Sequence, residues 1–445
     1  MNFAKQFLEY TVLTCLHVLS KLYCSVITFI LSWLSPTWLS WNKYSENMLR
    51  TIEKKILQIV RTPHRGCFVD IGPVVGPADK IWTLSLNTES QKTPLVLLHG
   101  LGAGIALWCL NLDAFAATRP VYAIDLLGFG RSSRPTFSTD SIEAEQQMVR
   151  SLEEWRKEMK LKEIIFLGHS MGGFLAASYS LSYPENVKHL ILADPWGFPE
   201  RPKEYKDVPF LIKTVSYIMK PFNPLAGIRL AGPLGPWFIN RVRPDISKKY
   251  SIELNDPNLI PQYIYQCNSQ YPSGESAFRS MMSDFGWAKN PIVRRIDQLR
   301  AEIPITLLYG SRSWIDHSAG EIIKEKRIHN YFKLQVITGA GHHVYADKPE
   351  SFNQIVLDAC EYTDSLQNRN NLAIMPSESD QPEKKVFARL KRSNQCSQSR
   401  NHVVKDCPLL EMLGDSSTTV IRFSKRPQLN IQEGGLGAKW ALPNP

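Results

Sequence analysis

Cysteine is sparse in this sequence and forms no pattern. The eight residues among 445 are Cys15, Cys24, Cys67, Cys109, Cys267, Cys360, Cys396 and Cys407, with no C-x-x-C and no zinc-type spacing to histidine. That excludes a zinc module, and the length excludes a short disulfide-stapled scaffold, so free thiols facing the cytosol are expected. No Lys-Ser/Thr follows the glycine-rich stretch 99–104, which argues against Walker-type phosphate binding. No A-x-A-like pattern closes the apolar N-terminus, and there are no internal repeats. No nucleic-acid motif accompanies the scattered Lys and Arg. Neither a metal nor any other cofactor is expected, and nucleic acid is not an expected partner.

What is present is an ordinary globular composition, 43% hydrophobic and 21% charged, with a formal net charge of +10. The positive surplus favours an anionic partner, and a phospholipid surface fits it best. Residues 22–41, LYCSVITFILSWLSPTWLSW, carry no formal charge and reach the length of about 20 residues that crosses a bilayer. Serines and Pro36 interrupt the second half, where Trp33, Trp38 and Trp41 cluster. Tryptophan prefers the headgroup level, so an interfacial anchor over residues 1–45 with these three tryptophans as membrane-binding residues is expected ahead of a spanning helix.

From Cys67 onward, short apolar runs alternate with helical periodicity, which predicts an α/β fold with a mostly parallel sheet. Strands are expected at 95–98, 121–124, 164–167, 189–192, 305–308 and 334–337, with a helix over 142–159. The gap between 192 and 305 is far longer than a crossover helix needs. Residues 197–300, rich in aromatics and prolines, therefore read as an inserted helical cap between core halves at 65–196 and 301–364. Within it Arg229, Arg241 and Arg243 are candidate phosphate-pairing cations, although such arginines are more often plain surface charges. Residues 365–445 are polar, basic and aperiodic, and read as a disordered tail.

Gly168-His169-Ser170-Met171-Gly172 stands between an expected strand, IIFL, and a helical stretch. This is the G-x-S-x-G nucleophile elbow in its required setting, where glycines permit a turn too tight for side chains. Ser170 needs a base, and His342 in the glycine loop after the last strand is the candidate, with His343 read as a bystander. The base needs an orienting carboxylate. Asp316, after ITLLYG, is preferred, and Asp194 is the rival. Backbone N–H groups of Met171 and Leu101 are the expected oxyanion donors. Asp125 reads as a turn residue.

The segments LLHGLGAG, AIDLLGFGRSSRP, GHSMGG, DPWGFPERP, GPLGP, FGWA and GAGHHVYADKPE resemble the α/β-hydrolase-domain four and five subfamily of lipid enzymes, over about residues 25–365. The tryptophan-rich stretch resembles that family's lipid-droplet-binding region. The resemblance implies an α/β-hydrolase fold and a phospholipid or lysophospholipid substrate. It also implies residence on the cytoplasmic face of lipid droplets or the endoplasmic reticulum. One branch of the subfamily hydrolyses lysophospholipids and N-acylphosphatidylethanolamine. The other replaces the serine by Asn and co-activates a lipase. Ser170 favours the hydrolytic branch. The subfamily's H-x-x-x-x-D signature, linked to lysophosphatidate acyltransferases, matches His342 and Asp347, so acyl transfer is the alternative reading. A non-catalytic scaffold for a droplet coat protein or a lipase is the second alternative.

Overall fold

The computed structural model describes residues 41, 43–201, 223–283, 286–327 and 330–374. Trp33, Trp38 and the expected tail from residue 375 onward lie outside them. The sheet runs β1 (His64–Gly72), β2 (Asp79–Leu86), β3 (Leu95–Leu98), β4 (Val121–Ile124), β5 (Ile164–His169), β6 (Val187–Ala193), β7 (Ile305–Gly310) and β8 (Phe332–Ile337). Its spatial order is β1-β2-β4-β3-β5-β6-β7-β8. β2 pairs antiparallel with β1 and β4, and every other pairing is parallel. The six expected strands are all present. The β1–β2 hairpin was not expected, because β1 is an edge strand with only Val69 and Ile71 buried, too sparse an apolar pattern to read.

The central strands are continuous apolar runs because helices cover both faces. Leu95 to Leu98 and Ile164 to Leu167 are all at most 1% exposed. Helix α3 (Ser141–Glu158; α1 is Glu46–Leu57 and α2 Leu112–Ala116) shows how one covering layer is specified. Asp140 caps its start by accepting the Ile142 and Glu143 N–H groups, and Arg156 and Lys157 occupy its last turn. Ala144, Met148, Leu152 and Trp155 form its buried stripe. Each large side chain so buried contributes about 1.5–3 kcal/mol. The Trp155 indole keeps a partner by donating to Thr83 Oγ1 at 2.9 Å.

Two expected boundaries move. Helix α1 begins the packed body before residue 65: Ser45 caps it, and Leu49, Ile52 and Ile56 enter the core. The final helix, α12 (Pro349–Ile374), runs past Asp364 into the stretch assigned to the tail. It is held there because buried Arg119 pairs with Asp364 at 3.0 Å and Thr93 donates to Gln367 at 3.1 Å.

Between β6 and β7 lie α5 (Ala226–Leu230), α6 (Gly235–Val242), α7 (Pro244–Tyr250), α8 (Leu259–Asn268) and α9 (Ser273–Met281), the helical insertion. Among the described residues α4 (Met171–Ser182) follows β5, and α10 (Ser318–Lys326) and α11 (Val344–Asp347) follow β7 and β8. The chain steps outward from β3 to β4 and then returns to β5 on the other side of β3. Crevices beyond the carboxyl ends of such reversal strands are where α/β sheets place their chemistry.

Candidate active site

Ser170 joins β5 to α4 with φ 52° and ψ −117°, a left-handed conformation that costs a side-chain-bearing residue strain. The strain persists because the turn is wedged from both sides. A Cβ on Gly168 would lie 2.4 Å from the Gly172 carbonyl oxygen, and one on Gly172 would lie 2.4 Å from that of Leu98. Ser170 N–H is tied to the Ala193 carbonyl across the sheet at 3.1 Å.

The hydroxyl meets its base. His342 Nε2 is 3.0 Å from Ser170 Oγ, and the opposite ring nitrogen, Nδ1, is 2.5 Å from Asp194 Oδ2. A proton on Nδ1 bonded to the carboxylate leaves Nε2 free to accept from the serine. Asp194 follows β6, is fully buried, and itself holds a positive φ of 47°. Its Oδ1 accepts the Gly310 N–H at 3.2 Å, and its Oδ2 also accepts the Ser313 hydroxyl.

The acid assignment therefore changes from Asp316 to Asp194. The loop after β7 does reach the site, but it delivers Ser313 rather than its carboxylate. Ser313 Oγ is pinned between Asp194 and the Ile315 N–H, and the loop then turns outward. Asp316 is exposed and closes a local turn, accepting Ser318 N–H at 2.9 Å and Ser318 O–H at 2.6 Å at the start of α10. Ser313 and the Gly310 N–H were not singled out from the sequence. A lone serine in a loop carries no periodic signal.

The two expected oxyanion donors border the nucleophile. Met171 is the first residue of α4, where N–H groups have no partner within the helix. The loop bearing Leu101 touches the serine: a Cβ on Gly100 would lie 3.0 Å from Ser170 Cβ. His99 braces that loop, with Nδ1 2.8 Å from the Gly100 carbonyl and Nε2 accepting Leu126 N–H at 3.1 Å. Burial lowers the His99 pKa, in keeping with a neutral ring that accepts at Nε2. The cap adds a second brace through Asn268, which donates to the Gly102 carbonyl at 2.7 Å. Asp125 accepts Ile105 and Arg131 N–H groups at 2.9 and 2.8 Å, as a turn residue does.

Two further histidines crowd the base. His169 Nε2 bonds the His342 carbonyl at 2.9 Å, fixing the main chain of the base. Burial, then the neighbouring His342, push its pKa well below the ordinary value, so it is a neutral donor. His343 lies 5.5 Å from the His342 ring, centroid to centroid, and 5.4 Å from that of His169. It too is held neutral, chiefly by burial. Its Nδ1 is buried without a hydrogen-bond partner among the described residues.

Asp347 is near the base in sequence but not bonded to its ring. It accepts the Gly341 N–H at 2.9 Å and pairs with Lys249 at 3.1 Å. Of the expected membrane-binding residues, Trp41 is described. It is 55% exposed, and its indole donates to the Leu230 carbonyl at 2.8 Å. Arg229 and Arg243, considered as phosphate-pairing cations, are already engaged by Glu275 at 2.7 Å and Asp245 at 2.9 Å. Beside the triad a cavity of about 260 Å³ is walled by Trp196, Trp287, Trp314 and Ile315, with Asp316 at its edge. Trp314 stands 5.0 Å from the His342 ring. Among the described residues no cluster suited to a metal ion is found.

Comparison with known proteins identifies the family. Residues 93–349 match the alpha/beta hydrolase fold family. The chain is 49% identical to a protein of Sus scrofa named 1-acylglycerol-3-phosphate O-acyltransferase ABHD5, over 75% of this chain and 95% of that one. It is 46% identical to a (Lyso)-N-acylphosphatidylethanolamine lipase of Mus musculus, over 75% of this chain and 97% of that one. Among solved structures, a bacterial membrane phospholipase A superposes with a TM-score of 0.50 at 19% identity, covering 81% of this chain and 99% of that one, a likeness of fold. The chain belongs to the α/β-hydrolase family, in the subfamily of α/β-hydrolase-domain proteins four and five.

Proposed function

We propose that this protein is a serine lipid hydrolase that deacylates glycerophospholipids, lysophospholipids or N-acylphosphatidylethanolamine. The observation that carries this reading is the unbroken relay from Ser170 Oγ through His342 to Asp194. Ser170 Oγ attacks the ester carbonyl carbon while His342 Nε2 takes its proton. The resulting oxyanion is held by the Met171 and Leu101 N–H groups. Collapse breaks the bond to the glycerol oxygen, which leaves with the proton from Nε2. Water then attacks the acyl-enzyme by the same route, releasing fatty acid and restoring Ser170. The cavity beside His342 offers the side chains of Trp196, Trp287, Trp314 and Ile315 as one wall for the acyl chain.

Acyl transfer is the second reading, favoured by the name of the 49% identical relative. A lysophospholipid hydroxyl would replace water at the same acyl-enzyme, with the same base taking its proton. Water is abundant and needs no acceptor-binding site, so hydrolysis is the main activity expected. A purely scaffolding role accords less well with a strained serine aligned on its base.

The membrane reading extends from Trp41 to the cap. Leu230, Leu234 and Trp237 are 55%, 61% and 64% exposed, and Trp41 is bonded to Leu230. These residues form an exposed apolar group with Trp41, and they support docking on the cytoplasmic face of lipid droplets or endoplasmic reticulum. No helix among the described residues is long and apolar enough to cross a membrane.

The test is Ser170→Ala and His342→Ala in the full chain, assayed by fatty-acid release from lysophospholipid and by fluorophosphonate labelling. Each should lower turnover by about 10³-fold or more, with no further loss in the double variant, because the triad acts as a unit. Ser170→Ala protein that still releases fatty acid at the wild-type rate would refute the mechanism.

A further inference from the structure

One carboxylate ties the loop that carries the base to the turn that follows it. Asp347, in the single turn α11, reaches back along the chain and accepts the Gly341 N–H at Oδ2, 2.9 Å away. Gly341 immediately precedes His342, and a glycine peptide has little of its own to restrict it. The other oxygen, Oδ1, lies 3.1 Å from Lys249 Nζ in cap helix α7. Lys249 also reaches Asp245 at 3.4 Å, and Asp245 is gripped by Arg243 at 2.9 Å. The side chains of Lys249 and Asp347 are only 12% and 16% exposed, so their attraction is screened far less than that of a surface pair. Both Asp347 oxygens are thus engaged, one on the base's loop and one on the cap.

We infer that Asp347 is a positioning residue for His342, and that with Lys249 it clamps the cap to the loop of the base. Seating of the cap then sets the aim of Nε2 at Ser170, a coupling that neither residue could produce alone. On this account the H-x-x-x-x-D spacing records a loop closed onto one helical turn, with the histidine as base and the aspartate as its tether. It is not a second acyl-transfer centre. The inference rests on the reading of Ser170 and His342 as nucleophile and base.

The experiment compares Asp347→Asn, Asp347→Ala and Lys249→Met with wild type and Ser170→Ala, all in the full chain. Hydrolysis of a water-soluble ester is followed against pH, together with the rate of fluorophosphonate labelling. Asp347→Ala should lose about 10- to 100-fold in kcat with KM nearly unchanged, the cost of a base misplaced by a fraction of an ångström to about one. Asp347→Asn retains an oxygen for the Gly341 N–H but loses the ion pair with Lys249, so it should recover part of that loss. Lys249→Met loses the same ion pair and keeps the tether, so it should match Asp347→Asn. A merely structural defect would lower the active fraction without this rescue by the amide. Asparagine as damaging as alanine would mean that the bond to the Gly341 N–H does not position the base, and alanine with wild-type kcat would mean that the whole clamp is idle. Either result overturns the inference. If wild type shows no Ser170-dependent turnover, the hydrolase reading fails, and the clamp is read from the low-field proton resonance of His342 Nδ1. That signal should survive in Asp347→Asn and be lost in Asp347→Ala. Its persistence in the alanine variant overturns the clamp.

Discussion

Replacing Asp194 by Asn changes one oxygen to an amide at the most constrained carboxylate of the site. In wild type that carboxylate accepts from three donors: the His342 Nδ1–H, the Ser313 hydroxyl and the Gly310 N–H. An asparagine offers one oxygen, which can serve Gly310 or the imidazole but not all three. If its NH₂ faces His342, two donors oppose each other at 2.5 Å unless the ring moves its proton to Nε2. With Nε2 protonated the ring cannot take the proton of Ser170. The expected loss is therefore close to that of removing the orienting acid in a serine triad, about 10³- to 10⁴-fold in kcat. That corresponds to about 4–5.5 kcal/mol of transition-state stabilisation. Asp316→Asn is the matched control. Its side chain is exposed, and an asparagine oxygen can still close the turn onto the Ser318 N–H. Its effect should stay within a few-fold, because the amide keeps the turn and the side chain stands only at the edge of the cavity. The assay is ester hydrolysis and fluorophosphonate labelling of both variants at several pH values, with thermal unfolding to confirm folding. Raising pH partly restores a wrong-tautomer enzyme if hydroxide substitutes for the base, so the profile as well as the rate is informative. A larger loss in Asp316→Asn than in Asp194→Asn would refute the assignment, and would mean that the loop after β7 rearranges when substrate binds.

Two further outcomes are expected. Glu53 on α1 accepts from Arg131 and the Trp82 indole, yet burial and then the nearby Asp125 raise its pKa to about 8. The native state therefore keeps a proton that the unfolded chain releases near pH 4.5, so stability should fall as pH rises through that window, by at most about 1.4 kcal/mol per pH unit from this group; urea unfolding at pH 5 and pH 8 should show a shallower decline in Glu53→Gln, and an unchanged slope would locate the proton elsewhere. Changing Leu230, Leu234 and Trp237 together to Ser should weaken sedimentation with anionic phospholipid vesicles about tenfold or more while leaving soluble-ester hydrolysis intact, given about 1.5–3 kcal/mol for each large side chain fully buried, and undiminished vesicle binding would confine the anchor to residues before Trp41.

Much of the catalytic sheet was legible because buried parallel strands write themselves as unbroken apolar runs. Leu95 to Leu98 and Ile305 to Leu308 could hardly be anything else. Ser170 was legible for a different reason: its glycines answer to contacts of 2.4 Å, a constraint that leaves a local signature. The acid was not, because chain order could not discriminate. Ser170–Asp194–His342 and Ser170–Asp316–His342 both run serine, acid, histidine. What separates them is how two loops fold above β6 and β7. Asp194 sits beside the nucleophile's strand in the sheet, its backbone tied to Leu308 at 2.7 Å and turned to positive φ, so its carboxylate points under the imidazole. Asp316 comes six residues after Gly310 ends β7, far enough for the chain to spend its carboxylate on a helix start instead. One clue was available: Asp194 follows its strand directly, as Ser170 does, and a residue at that position has little freedom except to face the crevice. Proximity to a strand end therefore carries more weight than order along the chain. By the same reasoning Asp347, reached through four residues of loop and turn after His342, serves the backbone of that loop rather than the ring.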